Sequence, residues 1–192
     1  MTALILGLLV FLGVHSVRIV AEDWRSGVRA RLGENAYKGV YSLLSLAGFV
    51  LLVWGYGQAR LEPVALWTPI TGMRHLAALL MLPSFVLLAA AYVPRNGIRA
   101  RVHHPMVLGV KVWALAHLLA NHTLADLLLF GGFLVWAVLD FRAARRRDRA
   151  AGTVYAPGTL AGTLTTVVAG VVAYGVFAMW AHGALFGVRP FG

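Results

Sequence analysis

The chain has 192 residues, of which 60% are hydrophobic and 12% charged, with a formal net charge of +10 and no cysteine. Charged residues make up about 25% of an ordinary soluble domain, so this composition, with its long apolar runs, excludes a soluble globular protein and indicates an integral membrane protein. The lack of cysteine excludes disulfides, thiolate metal ligands and a cysteine nucleophile, which leaves histidine as the strong ligand or base.

Six apolar segments follow one another along the chain, and most approach the roughly 20 residues that a helix needs to cross a hydrocarbon core. They cover residues 2–20, 37–57, 75–93, 105–120, 123–139 and 164–186. The first has no basic stretch before it and no small-residue cleavage site after it, so we expect a retained span rather than a signal peptide. We predict an all-α fold, a polytopic membrane helix bundle of about six transmembrane helices, forming a single integral membrane domain over residues 1–192.

Basic residues concentrate in alternate loops, which predicts the topology. Most lysines and arginines near the segment ends fall in the first, third and fifth loops, including the run "RAARRRDR" at residues 142–149. By the positive-inside rule these loops are cytoplasmic and both termini lie on the non-cytoplasmic side. The same bias explains the net charge, so membrane lipid and not nucleic acid is the expected partner. The expected location is the bacterial inner membrane.

Ionisable side chains within the apolar segments are the first candidates for a functional site. Near the centre of a bilayer such a group costs about 2.5 kcal/mol or more, so it usually faces the bundle interior and marks a site or a pathway. Three residues meet this description: His15 in the first segment, and Lys111 and His117 in the fourth. Arg18 follows His15 by three residues and therefore shares its helix face.

The other histidines lie nearer the predicted interfaces, where a solvated or hydrogen-bonded role is commoner than metal binding. His104 stands before Pro105 at the start of the fourth segment, and His75 begins the third. Both are secondary candidates for the site. The remaining three are expected to be peripheral: His103, His122 and His182.

His15 and His117 have two interpretations. Each ring could hydrogen-bond a nearby polar side chain, Ser16 or Asn121, as polar glue between helices. Alternatively, both imidazoles bind a metal. Because the chain has no cysteine and its segments carry no carboxylate near their middle, a haem iron with axial histidines fits better than zinc or a di-iron centre. The estimated depths of the two residues differ by about 9 Å, which helix tilt can absorb.

Arg18 and Lys111 have a role under the haem interpretation. Carboxylates at membrane depth need paired cations, so these two side chains would neutralise the haem propionates. Lys111 also has simpler alternatives, because it lies within snorkelling reach of the predicted inner interface and could pair with Asp140.

Four motifs in chain order resemble the NnrU family, over roughly residues 11–142. They are "HSVR" in the first segment, "GENAYKGVYSLLSLAGF" opening the second, "HHPMVLGVKVWALAHLLAN" around the fourth and "LLLFGGFLVWAVLDFR" in the fifth. Bacterial members are associated with nitrite and nitric oxide metabolism in denitrifiers. The resemblance therefore implies a redox, sensing or accessory role in nitrogen-oxide metabolism, with a redox partner.

A plant and cyanobacterial relative of the family is 15-cis-zeta-carotene isomerase, a haem b membrane enzyme. This relationship implies haem b (iron) as the cofactor, with His15 and His117 as axial ligands and His104 next in line. It also leaves open whether the chain is an enzyme, since a cis-trans isomerase acting on a hydrophobic polyene is an alternative function. The isomerase carries a cysteine near its second ligand, whereas this chain has Ala114 one turn before His117.

A looser resemblance is to membrane methyltransferases of the isoprenylcysteine type, which use S-adenosylmethionine. The segment "HHPMVLG" matches their His-Pro motif at His104, Pro105 and Gly109. The paired-glutamate motif expected near the C-terminus is absent from the sequence. Methyl transfer is therefore kept as a third alternative.

Overall fold

The computed structural model describes residues 1–191 of the chain. Throughout this part the regular structure is helical and no strand forms, the β contacts being two isolated bridges. The prediction of an all-α fold is confirmed. The helices are α1 (Thr2–Val20), α2 (Glu22–Leu32), α3 (Glu34–Ala59), α4 (Met73–Tyr92), α5 (Gly97–Val102), α6 (Pro105–Ala120), α7 (Leu124–Ala150) and α8 (Leu160–Phe186).

Five helices in the described part of the chain are long and apolar enough to cross a membrane, namely α1, α3, α4, α7 and α8. A further apolar helix, α6, has 16 residues and is short for a full crossing. Each of the six predicted segments overlaps one of these helices, and those at 2–20 and 105–120 match to the residue. The chain is therefore a multi-pass membrane protein. The side on which its termini lie stays a prediction.

Two basic segments expected as loops are helical. In α2, two acidic residues occupy the first turn and two arginines the last, an arrangement that complements the helix dipole, and Gly33 ends the helix with a φ of +81°. The second of these segments lies in α7, which does not end at residue 139 as predicted. This helix continues to Ala150 and includes the basic run at residues 142–149. The hydropathy pattern did not predict either of these helical stretches, because a polar helix carries no apolar run or stripe.

The helices divide into two compact units. Unit 1 comprises Met1–Thr68 and His122–Ala143, which is α1, α2, α3 and the first part of α7. Unit 2 comprises Pro69–Asn121 and the described residues from Ala144 onward, which is α4, α5, α6, the end of α7 and α8. His15 therefore belongs to unit 1 and His117 to unit 2.

In unit 1, α1 and α3 pack closely because glycines face the opposing backbone. A Cβ atom added at Gly7 would collide with the backbone of α3, and one at Gly55 would collide with the backbone of Leu4. A Cβ atom at Gly48 would lie 2.7 Å from the backbone nitrogen of Phe11. Small residues that let two helix backbones approach are a common basis of packing in membranes. This packing holds the turn of α1 before His15 against α3.

A polar cluster joins α3 to the start of α7 in unit 1. The Asp126 carboxylate is 6% exposed and accepts a 2.6 Å hydrogen bond from the Tyr56 hydroxyl. Its second oxygen accepts bonds from the backbone nitrogen and hydroxyl of Thr123, while the Thr123 hydroxyl accepts from the backbone nitrogen of Asp126. This reciprocal pair is a capping box, which satisfies amide groups that the first turn of α7 leaves without helical partners.

We expect Tyr56→Phe to destabilise the protein by about 1–2 kcal/mol, because the buried Asp126 oxygen loses its donor. For a chain of this size, that loss lowers the midpoint temperature of unfolding by about 2–8 °C. Thermal unfolding in one detergent measures the shift. Tyr92→Phe is the matched control, since Tyr92 is 76% exposed. Equal midpoints for the two variants would contradict the prediction.

In unit 2, α4 packs against α6 and α8. The Ser84 hydroxyl of α4 donates a 2.9 Å hydrogen bond to the Gly109 carbonyl of α6. On the other side, a Cβ atom at Gly170 of α8 would lie 2.6 Å from the Cα atom of Val86. Asn96, which is 2% exposed, donates to two carbonyls at the end of α4 and caps α5. These contacts hold α6 against α4 and fix the start of α5, the short helix that precedes α6.

Candidate functional site

His15 lies about one and a half turns before the end of α1 in unit 1, half-buried among aromatic side chains. Its Nδ1 atom is 2.7 Å from the Phe11 carbonyl oxygen, one turn earlier. Because a carbonyl can only accept, Nδ1 carries the proton, and the lone pair of the neutral ring is on Nε2. The partner of Nδ1 is thus a backbone carbonyl rather than Ser16. The rings of Phe11, Tyr41 and Trp136 have centroids 4.3, 5.4 and 6.1 Å away.

Trp136 brings an unsatisfied donor to the surroundings of His15. Its indole Nε1 is buried and has no hydrogen-bond partner among residues 1–191. Buried N–H groups without an acceptor are uncommon in folded proteins, and a bound group that carries an acceptor oxygen would satisfy this one.

His117 lies one turn before the end of α6 in unit 2 and is half-buried. Its Nδ1 atom is 2.9 Å from the Trp113 carbonyl oxygen, which again assigns the proton to Nδ1 and the lone pair to Nε2. Asn121 donates to the backbone carbonyl of His117 and so caps the helix, rather than bonding to the ring. The Trp113 ring lies beside the imidazole, with centroids 5.3 Å apart.

His182 is a neighbour of His117 that the sequence interpretation missed. The two imidazole centroids are 6.4 Å apart, and the ring planes differ by 23°. The Nδ1 atom of His182 is 2.7 Å from the Val188 carbonyl oxygen, so it also bonds to the backbone, but six residues later in the chain and not one turn earlier in its own helix as in His15 and His117. The sequence did contain a signal for His182, because this histidine falls inside the predicted apolar segment 164–186. It was expected to be peripheral because it stands near the end of that segment.

His104 belongs to a polar cluster in unit 2. Its Nε2 atom is 2.8 Å from Asp148, which also accepts hydrogen bonds from Arg145 at 3.2 Å and Tyr155 at 3.0 Å. Burial and the bond to Asp148 raise the pKa of the Tyr155 hydroxyl, so it stays neutral and donates. His103 is next to this cluster, with a φ of +68° and its ring 4.2 Å from that of Tyr155. In this arrangement the Nε2 atom of His104 pairs with a carboxylate, which favours a structural role.

The other predicted site residues occupy separate positions. Arg18 forms an ion pair with Glu22 at 3.7 Å, and its side chain is 57% exposed. Lys111 is half-buried on α6, seven residues after His104. His75 is exposed in the first turn of α4. Propionate pairing by Arg18 and Lys111, and iron ligation by His75 or His104, stay predictions.

Comparison with known proteins identifies the family. A family model described as NnrU protein matches residues 3–190. The chain belongs to the NnrU family. The match covers more of the chain than the four motifs at residues 11–142, and it includes α8, on which His182 lies. No curated protein and no solved structure matches the chain.

The donor groups of this NnrU family member can be compared with what different cofactors need. Within residues 1–191 no group of three or more His, Asp or Glu side chains could hold a metal ion. A structural zinc site uses about four protein ligands, whereas a haem iron takes one or two. His15, His117 and His182 each hold Nδ1 on a backbone carbonyl, which is the common way in which proteins orient an imidazole for ligation through Nε2. The residues present therefore fit a haem.

Proposed function

We propose that this chain is a haem b protein of the bacterial inner membrane, with His117 as an axial ligand, serving a redox, sensing or accessory role in nitrogen-oxide metabolism. The observation that carries the proposal is the 2.9 Å contact between Nδ1 of His117 and the Trp113 carbonyl oxygen. In a neutral ring this contact leaves the lone pair on Nε2, in a helix whose other residues are apolar for most of its length.

The protein's own residues have definable tasks in this proposal. The Trp113 carbonyl orients the His117 ring and raises its basicity as a ligand. The Trp113 ring supplies an apolar wall, which restricts water and influences the reduction potential. Lys111 lies six residues before His117 on the same helix, where its stem reaches toward the predicted cytoplasmic side and its ammonium can pair with a propionate. When bound, a haem supplies an iron that changes oxidation state or binds a small gas.

The redox or sensing role is favoured over isomerisation by Ala114. This residue is fully buried, at 0% exposure, and lies one turn before His117, whereas the related carotene isomerase carries a cysteine near its second ligand. No thiolate from that turn can therefore exchange with His117 at the iron. A protein with stable histidine ligation suits electron transfer or redox sensing, whereas catalysis needs a displaceable ligand.

The visible spectrum of the purified protein tests haem binding. Prepared in detergent from haem-replete cells, the wild-type protein is expected to show a Soret band and the α and β bands of a reduced b-type haem. The pyridine haemochrome assay gives the haem content per chain. Protein that is folded by circular dichroism but has no Soret band would refute the proposal.

The same haem-loaded protein separates the accessory role from the isomerase alternative. Expressed in cells that accumulate a cis-polyene, it is expected to leave the isomer ratio unchanged. A denitrifying host lacking its own NnrU protein is expected to recover nitrite or nitric oxide consumption when the chain is supplied, and to fail with His117→Ala. A changed isomer ratio that depends on His117 would favour the enzyme instead.

A further inference from the structure

The short helix α2 is held at the membrane surface by its connections. It has 11 residues and lies between α1 and α3, which are both long and apolar enough to cross a membrane. Ala21 is the only residue between α1 and α2, and Gly33 is the only residue between α2 and α3. With connections this short, α2 cannot move away from the points where the chain leaves and re-enters the bilayer. It therefore lies in or against the headgroup region.

One side of α2 is fixed against the rest of unit 1. The Arg25 guanidinium lies over the Tyr37 ring of α3, 5.8 Å from its centroid, and donates a 2.6 Å hydrogen bond to Glu22. Only 17% of the Arg25 side chain is exposed. Glu22 also pairs with Arg18 at the end of α1, at 3.7 Å. These contacts fix the rotation of α2 about its axis, and so determine which of its side chains face outward.

The outward surface of α2 carries an apolar stripe formed by Trp24, Val28 and Leu32. These residues follow one another at intervals of four and so lie within about 80° of one another around the helix axis. Trp24 is 63% exposed and Leu32 is 54% exposed. The other side of the helix carries exposed small or polar residues, namely Asp23, Ser26 and Ala30. An amphipathic helix at a bilayer surface buries such a stripe at the boundary of headgroups and acyl chains, where tryptophan is enriched.

The charges around the stripe favour anionic lipid. Five cations in residues 18–38 face three carboxylates, so the segment has an excess of positive charge. Glu22 and Glu34 each pair with two of those cations. Arg31 is exposed and forms no ion pair within residues 1–191. Because it follows Trp24 by seven residues, it lies about 20° from Trp24 around the axis, where its stem can follow the stripe and its guanidinium can reach a phosphate.

From these observations we propose that α2 is an interfacial helix that binds anionic phospholipid. Trp24, Val28 and Leu32 insert below the headgroups, and Arg31 pairs with a phosphate whose lipid carries no compensating ammonium. The occupant of the exposed stripe is thus the bilayer that α1 and α3 already cross, and not a soluble protein or a second copy of the chain. This proposal goes beyond the proposed function and does not depend on haem.

Single-cysteine labelling tests the insertion, because the chain has no cysteine of its own. Trp24→Cys and Leu32→Cys in the stripe, and Ser26→Cys and Ala30→Cys on the other side, each receive a nitroxide label in nanodiscs of phosphatidylglycerol and phosphatidylcholine. Power saturation compares collisions with oxygen, which concentrates in the bilayer, and with a water-soluble nickel complex. The stripe labels are expected to meet oxygen more than nickel, with the order reversed at the other two. Two positions on each side keep the test decisive if one variant fails to fold.

Lipid-specific quenching tests the preference for anionic lipid. Leu32→Cys carries a bimane fluorophore in mixed nanodiscs in which either the phosphatidylglycerol or the phosphatidylcholine has brominated, quenching acyl chains. Stronger quenching by brominated phosphatidylglycerol, relative to its mole fraction, is the expected result. Adding Arg31→Gln is expected to reduce this enrichment by up to about fivefold, since one cation near an anionic surface contributes about 1 kcal/mol. Arg74→Gln is the matched control, because it removes the same charge from the exposed first turn of α4 in unit 2.

Several results would overturn the proposal. Stripe labels that the nickel complex reaches as readily as the labels at positions 26 and 30 would show that α2 does not insert. Stripe labels that neither reagent reaches would show that protein, such as a second copy, covers the stripe. Equal quenching by the two brominated lipids, or equal losses of enrichment in Arg31→Gln and Arg74→Gln, would exclude an anionic-lipid site at Arg31. None of these results bears on haem binding, so the proposed function is tested separately.

Discussion

Replacing His117 with alanine is expected to lower the haem-to-protein ratio at least about tenfold, which requires the affinity for haem to fall by a factor of about ten or more, or at least about 1.4 kcal/mol of binding free energy. His117 would supply a ligand from a membrane helix in which its Nδ1 atom is already held by the Trp113 carbonyl oxygen, so the loss of the ring removes an oriented donor. Absorbance at the Soret maximum divided by protein concentration, after size-exclusion chromatography, measures the ratio.

His122→Ala is the matched control for this variant. His122 is five residues further along the chain in unit 1, and its backbone carbonyl accepts a 2.9 Å hydrogen bond from the backbone nitrogen of Leu66. Alanine keeps that backbone bond, so the control is expected to retain full haem content. If His117→Ala kept the wild-type ratio and spectrum, the assignment of His117 as a ligand would be wrong, whatever the behaviour of His15 or His182.

Replacing Gly55 with valine is expected to destabilise the protein by about 3 kcal/mol, lowering the midpoint temperature of unfolding by about 6–12 °C. A Cβ atom at Gly55 would collide with backbone atoms of Leu4 on α1, and backbone cannot change rotamer to make room. The two helices would have to separate, which removes contacts along their shared face. Thermal unfolding followed by circular dichroism, in one detergent for all variants, measures the shift.

Gly57→Val provides the control for this substitution on the same helix. A Cβ atom at Gly57 meets no atom within 4 Å, so valine there changes helix propensity without a collision. Its midpoint is expected to stay close to that of the wild type. Similar losses in the two variants would show that the effect comes from valine in α3 and not from the packing of α1 against α3.

The close α1–α3 packing also bears on the surroundings of His15. Gly48 faces the backbone at Phe11, whose carbonyl bonds to the His15 ring. A shift of α1 along α3 would therefore move His15 relative to Tyr41, which lies on α3 about two turns after its first residue, Glu34. This coupling gives the glycines a role in positioning a candidate site residue as well as in stability.

Much of the membrane architecture could be predicted from the sequence because hydropathy and helix signals are local. The segments at 2–20 and 105–120 match their helices to the residue, the second because Pro105 is suited to the first position of a helix. The helical state of residues 22–32 and 140–150 could not be predicted in this way. Those stretches are polar, so they lack the apolar pattern on which the prediction depended.

The sequence by itself determined which side chains are chemically able to form a site. Without cysteine, and with histidines inside apolar segments, imidazole was the ligand to consider, and His15 and His117 followed from their depth. Their helical context also makes a carbonyl one turn earlier available to each ring, as the structure shows for Phe11 and Trp113.

Only the tertiary structure decided which side chains meet. His117 and His182 are 65 residues apart, and their proximity depends on the packing of α4 with α6 and α8, on the π turn before His182 and on the turn at Gly187. The cluster of His104 with Asp148 and Tyr155 likewise joins distant parts of the chain. Regular helix periodicity predicts faces along one helix, whereas an inserted residue and a helix-helix contact are properties of the folded chain.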